Sequence, residues 1–331
     1  MKYTVGVTVG KFMPLHKGHE LMIKMGSKIL DDLVVLVSGT ETDEIPLDVR
    51  VNWIVDFVKK SGLENVCVLR HTDKSPTPIE IDSNGTVLDE EFQQYWADEF
   101  FKHEPNLTHI VSSDWYGKTL ADRMGLEWLP VDPTREMFPI SATMIRENID
   151  GMYNYISDSA KPYFQKKVVF VGPESTGKST MSKNVASWFE GRYVPEYGRI
   201  VTEVKPDAGE SEFENIFKGQ KALVESAGVD KRLIVADTEA YTTFLFGQIY
   251  LDRDLECRKY HVPYDLYVLL APTVEWVQDG NRVLEKQSIR WKFFEDMKQY
   301  LEDTGQRFVV VDDASWKDRE AKVEQYVSEI L

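Results

Sequence analysis

Cysteine is scarce in this chain: Cys67 and Cys257 are the two among 331 residues. That argues against a disulfide framework and against a structural zinc site. Long apolar runs are missing as well. Stretches such as Leu33–Val37 fall far short of the roughly 18 residues that a membrane span needs. The start, Met1-Lys2-Tyr3-Thr4-Val5, enters a strand-like run at once, without the apolar stretch and small-residue cleavage site of a secretory signal. A cytoplasmic protein is expected. Positive charge is in deficit, 39 Lys and Arg against 55 Asp and Glu, for a net charge of −16. Such a chain is a poor match for a nucleic-acid backbone. Any phosphate site must therefore be a local basic pocket in an acidic body.

What is present is an ordinary globular composition, 42% hydrophobic and 28% charged, long enough for two domains. Strand-like runs at Tyr3–Val9, Leu33–Val37, Val66–Leu69, Thr108–Ser112 and Glu127–Val131 alternate with helical patterns. Val51, Ile54, Val55 and Val58 predict one apolar helix face; Phe92, Trp96 and Phe100 predict another. The alternation restarts at Lys167–Val171. A helix carrying Met181, Val185, Trp188 and Phe189 follows, then strands Leu233–Ala236, Leu266–Leu270 and Phe308–Val311. Strand–helix alternation implies parallel sheets covered on both faces. The expected fold is α/β in two domains, 1–160 and 161–331. The aromatic-rich connection from Asp150 to Lys166 should pack down between the two series.

Two segments of the first half carry chemistry. Gly10-Lys11-Phe12-Met13-Pro14-Leu15-His16-Lys17-Gly18-His19 leaves the first strand and opens the first helix. Glycines let the backbone approach a ligand, and a helix N-terminus with two imidazoles and Lys11 suits an anion. A metal site is a second reading, but no cysteine nearby completes it. Ile140-Ser141-Ala142-Thr143-Met144-Ile145-Arg146 reads as a capped helix start with two hydroxyls and an arginine fork.

In the second half, Gly172-Pro173-Glu174-Ser175-Thr176-Gly177-Lys178-Ser179 matches G-x-x-x-x-G-K-[ST] in full, between a strand and a helix. The loop N–H groups would cradle a β-phosphate, with Thr180 continuing the helix. Lys178 would reach β and γ oxygens, and Ser179 would ligate Mg²⁺. Asp237 ends a buried strand, where a magnesium-binding carboxylate belongs. No NKxD segment marks a GTPase. A small-molecule kinase needs an acceptor base and a lid. Glu196, in Glu196-Tyr197-Gly198-Arg199, is the candidate base. Trp276, Asp279, Gly280, Arg282 and Arg290 are candidate lid or substrate residues.

The first pair of segments resembles the HxGH and ISxTxxR motifs of the nucleotidyltransferase superfamily. The order of the two halves resembles the bifunctional nicotinamide-nucleotide (NMN) adenylyltransferase/ribosylnicotinamide kinase family, the NadR type. Val131-Asp132-Pro133, Lys161-Pro162-Tyr163-Phe164, Glu196-Tyr197-Gly198-Arg199, Asp237-Thr238 with Thr242-Thr243, and Trp276-Val277 with Asp279-Gly280 and Arg282 extend the likeness along the chain. The resemblance implies a Rossmann-like nucleotidyltransferase domain followed by a P-loop kinase domain. It implies that the kinase phosphorylates nicotinamide riboside to NMN with MgATP, and that the transferase joins NMN to ATP, giving NAD and pyrophosphate. His16 and His19 would hold ATP phosphates beside Gly10, Lys11 and Phe12; Ser141, Thr143 and Arg146 would hold the β and γ phosphates. Ser112-Ser113-Asp114-Trp115-Tyr116-Gly117 resembles the substrate-side stretch, with Asp114 where the family has Glu. Trp276 could meet the cationic nicotinamide ring. Some family members carry an N-terminal helix-turn-helix. Here the catalytic strand begins at Tyr3, so no DNA binding is expected, and nucleotidyltransferases of this fold leave room for a homo-oligomer. The alternatives are the same folds acting on another nucleoside or on a phosphopantetheine-like substrate, or a nucleotide-sensing regulator without turnover.

Overall fold

A computed structural model describes residues 2–76, 89–204, 209–276 and 286–331. The chain forms two compact units, Met1–Phe164 and Gln165–Leu331. The first contains β1 (Val5–Gly10), α1 (Lys17–Ile29), β2 (Asp32–Gly39), α2 (Leu47–Lys60), β3 (Val66–Thr72), α3 (Glu90–His103), β4 (His109–Ser112), α4 (Trp115–Met124) and β5 (Glu127–Pro130). Three short helices end it: α5 (Ala142–Glu147), α6 (Ile149–Met152) and α7 (Lys161–Phe164). Its five strands pair in parallel in the order β3-β2-β1-β4-β5. Side chains alternate across a strand, so β2 sends Leu33, Val35 and Val37 into one core and Val34 and Leu36 into the other.

The second unit runs β6 (Lys166–Val171), α8 (Lys178–Trp188), β7 (Arg192–Val194), α9 (Tyr197–Val204), α10 (Glu210–Glu225), β8 (Leu233–Ala236), α11 (Ala240–Leu251), β9 (Leu266–Leu270), α12 (Gln287–Asp303), β10 (Phe308–Val311) and α13 (Trp316–Ser328). Its parallel order is β10-β9-β6-β8-β7. The same alternation divides β6: Val169 and Val171 face one cluster, Val168 and Phe170 the other. In both sheets the first strand is central and connections leave it toward both sides. The crevice at its carboxyl end is where such folds bind ligands.

Three expectations shift in detail. α2 buries Leu47, Arg50, Trp53, Ile54 and Phe57, while Val55 is exposed, because the bulkier aromatics take the core side. Trp188 is likewise exposed although Met181 and Val185 are buried. The division between units falls four residues beyond 160, since α7 packs back on the first unit: Tyr163 and Phe164 lie 5.5 and 5.9 Å from the Trp53 ring.

Candidate active sites

β1 ends at the loop that carries the histidines. His16 caps α1 in extended conformation, its Nδ1 accepting from the His19 backbone N–H at 3.4 Å. The two imidazoles stack with centroids 3.6 Å apart. Phe12, in the left-handed region at φ 48°, is buried and meets the His19 ring edge-on at 4.8 Å. Its aromatic body positions the histidine. A Cβ on Gly18 would stand 3.1 Å from the His16 ring, so the glycine makes room for that ring. Burial, aided by the charge of Arg135, pushes His16 down to about 4. Burial, then His16 and Arg135, lower His19 well below the usual imidazole range, against the pull of the Pro14 carbonyl. Both rings are therefore neutral near pH 7. His19 Nδ1 has no hydrogen bond of normal geometry among the described residues.

Ser141 caps α5 by accepting from the Met144 N–H at 3.2 Å. Arg146 joins the two segments, donating to the Met13 carbonyl at 2.5 Å and to the Thr143 hydroxyl at 3.3 Å. The motifs 120-odd residues apart in sequence thus meet at the end of β1. Lys11 is exposed and bound to Asp43 at 2.9 Å. Asp114 caps α4 through the Gly117 N–H at 3.2 Å; burial raises its carboxyl, opposed by that N–H and by Arg135. Trp115 is exposed beside Trp128, at 5.2 Å.

Two residues here escaped the sequence reading. Arg50 is fully buried and donates to the carbonyls of Lys11, Ser38 and Ile45 and to Asp43. It fastens the loop after β1. Arg135 is exposed in the left-handed region, at φ 55°. It stands in a turn held by the Asp132 carboxylate, which accepts from the N–H groups of Glu136, Met137 and Phe138. Its field reaches His16, His19 and Asp114. The Val131-Asp132-Pro133 stretch was the available signal.

In the second unit Gly172 and Gly177 take φ of 133° and 90°, which glycine alone adopts without strain. A Cβ on Gly172 would strike the Leu270 carbonyl at 2.5 Å. Lys178 is buried and donates to the Gly172 and Pro173 carbonyls, each at 2.9 Å. Burial lowers its ammonium, while Glu196, Asp237 and Glu174 pull it back up. Thr176 ties back to the Pro173 carbonyl at 2.9 Å; Thr180 is exposed on α8. Glu174 accepts from the Tyr250 hydroxyl at 3.2 Å.

Asp237 is buried at the end of β8, with Oδ2 accepting from Tyr193 at 3.1 Å. Burial raises its carboxyl, and the Ser179 hydroxyl and Lys178 oppose this. Oδ1 has no hydrogen bond of normal geometry among the described residues. An orphaned carboxylate oxygen beside a P-loop serine fits a magnesium ion. Glu196, 22% exposed, is pushed up to about 7 by loss of hydration, opposed by Lys178 and reinforced by Asp237. Arg199 lies 3.9 Å from it, and the Tyr197 N–H donates to Gln220.

Arg290 departs from the lid expectation. It is buried in α12 and donates to the carbonyls of Glu174 and Ser175 at 3.2 and 3.3 Å, so it braces the loop from below. Trp276 is half-buried, its indole N–H without a partner among the described residues. Arg282, with Asp279 and Gly280, lies outside the described residues. A further brace had no sequence signal. Arg319 of α13 is fully buried and donates to the carbonyls of Thr176, Ala271 and Asp313. Among the described residues no helix is long and apolar enough to cross a membrane.

Comparison with known proteins fits this geometry. Residues 167–319 match the family model of an AAA domain. The chain is 26% identical over 353 residues to the trifunctional NAD biosynthesis/regulator protein NadR of Escherichia coli (strain K12), covering 100% of this chain and 84% of that protein. The NadR of Salmonella typhimurium is equally similar, 26% over 99% of this chain and 83% of its own length. Crystal structures of NadR protein, one with NR and one with NAD and AMP-PNP, share the fold over 99% of this chain and 96% of theirs. Their TM-scores are 0.67 and 0.65, at 21% and 22% identity.

Proposed function

We infer that this chain, a relative of NadR along its whole length, is a bifunctional enzyme of NAD biosynthesis: a ribosylnicotinamide kinase and an NMN adenylyltransferase. The observation that carries the reading is that polar groups suited to phosphate converge at the carboxyl end of each sheet: His16, His19 and Arg146 in one, Lys178 and Asp237 in the other. We assign adenylyl transfer to the unit ending at Phe164 and phosphoryl transfer to the unit from Gln165. The substrates are nicotinamide riboside, NMN and ATP, charged metabolites of the cytoplasm.

In the kinase a ribosyl hydroxyl of nicotinamide riboside attacks the γ-phosphorus of ATP, its proton passes to Glu196, and ADP leaves. A carboxyl titrating near 7 is poised for that transfer. Loop N–H groups and Lys178 hold the β and γ phosphates. Ser179 and Asp237 would hold Mg²⁺, which supplies neutralisation of phosphate charge. Tyr197, Arg199 and Trp276 flank the acceptor side.

In the transferase an NMN phosphate oxygen attacks the α-phosphorus of a second ATP and pyrophosphate leaves. Here the protein contributes positioning and charge stabilisation. Neutral imidazoles donate one N–H each, and the arriving polyanion favours their protonated form. Ser141, Thr143 and Arg146 secure the β and γ phosphates, and Asp114 and Trp115 border the NMN side.

The purified chain is tested by mass spectrometry with nicotinamide riboside plus MgATP and, separately, with NMN plus ATP. NMN and NAD are the expected products; unchanged substrates refute the assignment. His19→Ala lowers adenylyl transfer about 10²–10³-fold and leaves the kinase intact. Lys178→Ala does the converse. Loss of both activities in both variants would refute two separate sites.

A further inference from the structure

Three donor groups outside both phosphate sites converge where β3 meets α3. His71 lies near the end of β3, and Glu99 and His103 are one helical turn apart on α3. His71 Nδ1 is 3.6 Å from Glu99 Oε2, His103 Nε2 is 3.8 Å from the same oxygen, and the two ring nitrogens are 3.4 Å apart. Around a tetrahedral zinc with bonds of about 2.0–2.1 Å, neighbouring ligand atoms stand about 3.4 Å apart. The triangle therefore has nearly the edges of one face of that tetrahedron. We propose that His71, Glu99 and His103 form a binding site for a zinc-class divalent cation that ties α3 to the edge strand β3.

The surroundings support it. His71 Nε2 is 2.9 Å from the Tyr95 hydroxyl, and the Lys74 N–H donates to that hydroxyl at 3.0 Å. A partner on the remote ring nitrogen orients metal-ligating imidazoles. Here it leaves Nδ1 facing the other two donors. The ring of Trp96, 5.2 Å from His71, walls the inner side. Glu99 and His103 retain 17% and 24% side-chain exposure, so the fourth position opens to water. Lys102 contacts both Glu99 oxygens, at 3.0 and 3.2 Å. It is 70% exposed and free to swing into solvent when a cation takes its place. Scarcity of cysteine excludes a thiolate site, not this one: two imidazoles and a carboxylate suit zinc, whereas magnesium prefers an all-oxygen shell.

The test uses the full chain, stripped with a chelator. Zn²⁺ is titrated in competition with a chromophoric chelator, and Co²⁺ is followed by visible absorption. Both are run in a His16→Ala background, so that the other histidine pair does not count. One Zn²⁺ per chain and a tetrahedral Co²⁺ spectrum are expected, undisturbed by excess Mg²⁺. The double variant His71→Ala/His103→Ala abolishes both. Tyr95→Phe, which keeps the ring and the core, weakens zinc about 10–100-fold. Zinc bound as tightly by the double variant as by its parent, a parent that takes up none, or an octahedral Co²⁺ spectrum overturns the proposal.

Discussion

At the residue scale, burial disfavours charge in both sites, lowering the bases His16, His19 and Lys178 and raising the acids Asp114, Glu196 and Asp237. His16 titrates at about 4 in the fold and near 6.5 in the unfolded chain. Between those values the unfolded state holds more protons, so burying this imidazole costs nothing in charge above about pH 6.5, and a destabilising penalty builds as pH falls toward 4. It amounts to on the order of 3 kcal/mol. Urea denaturation at stepped pH should show that slope in the parent, and His16→Asn should reduce it, His19 supplying what remains. Glu196, raised to about 7, predicts that kinase kcat/KM climbs through about pH 7 as the base loses its proton. Glu196→Gln should remove that limb and lower turnover about 10²–10⁴-fold; an unaltered profile would assign the base elsewhere. Arg135 adds a cation whose field reaches both histidines. Arg135→Ala should raise the KM of adenylyl transfer for a phosphate substrate about tenfold or more, with kinase kinetics unchanged.

At the scale of elements, the sites are loops held by arginines that belong to other elements. α13 is the clearest case. Its Trp316 ring lies where a Cβ on Gly177 would be, 2.5 Å away, and its Arg319 binds the Thr176 carbonyl at 2.9 Å. α12 adds Arg290 beneath Glu174 and Ser175. Arg319→Met leaves buried carbonyls unpaired. It should cost about 3 kcal/mol of stability, read by urea denaturation, and weaken ATP use by the kinase while adenylyl transfer persists. The P-loop itself was legible because its spacing encodes backbone geometry locally. Its braces were not, because an arginine 143 residues from its partner carbonyl leaves no periodic trace.

At the scale of the whole molecule, each unit has its own sheet with its own apolar clusters, two in the first and three in the second among the described residues. Separate cores predict separable activities. Mixing the His19→Ala and Lys178→Ala chains should restore NAD formation from nicotinamide riboside, because NMN made by one chain diffuses to the other. A mixture that accumulates NMN without NAD would mean that product passes only within one chain.

The order of strands and helices and the two phosphate motifs were readable along the chain. They rest on alternation of side chains about a strand and on glycines at fixed offsets, properties of neighbours in sequence. Strands as short as β7 (three residues), the face α2 buries, the division after Phe164, the loop braces Arg50, Arg290 and Arg319, and the meeting of His71 with Glu99 and His103 were decided by tertiary packing. Each depends on which distant backbone a long or bulky side chain reaches once the sheets have closed, and that distance is written nowhere in the local pattern.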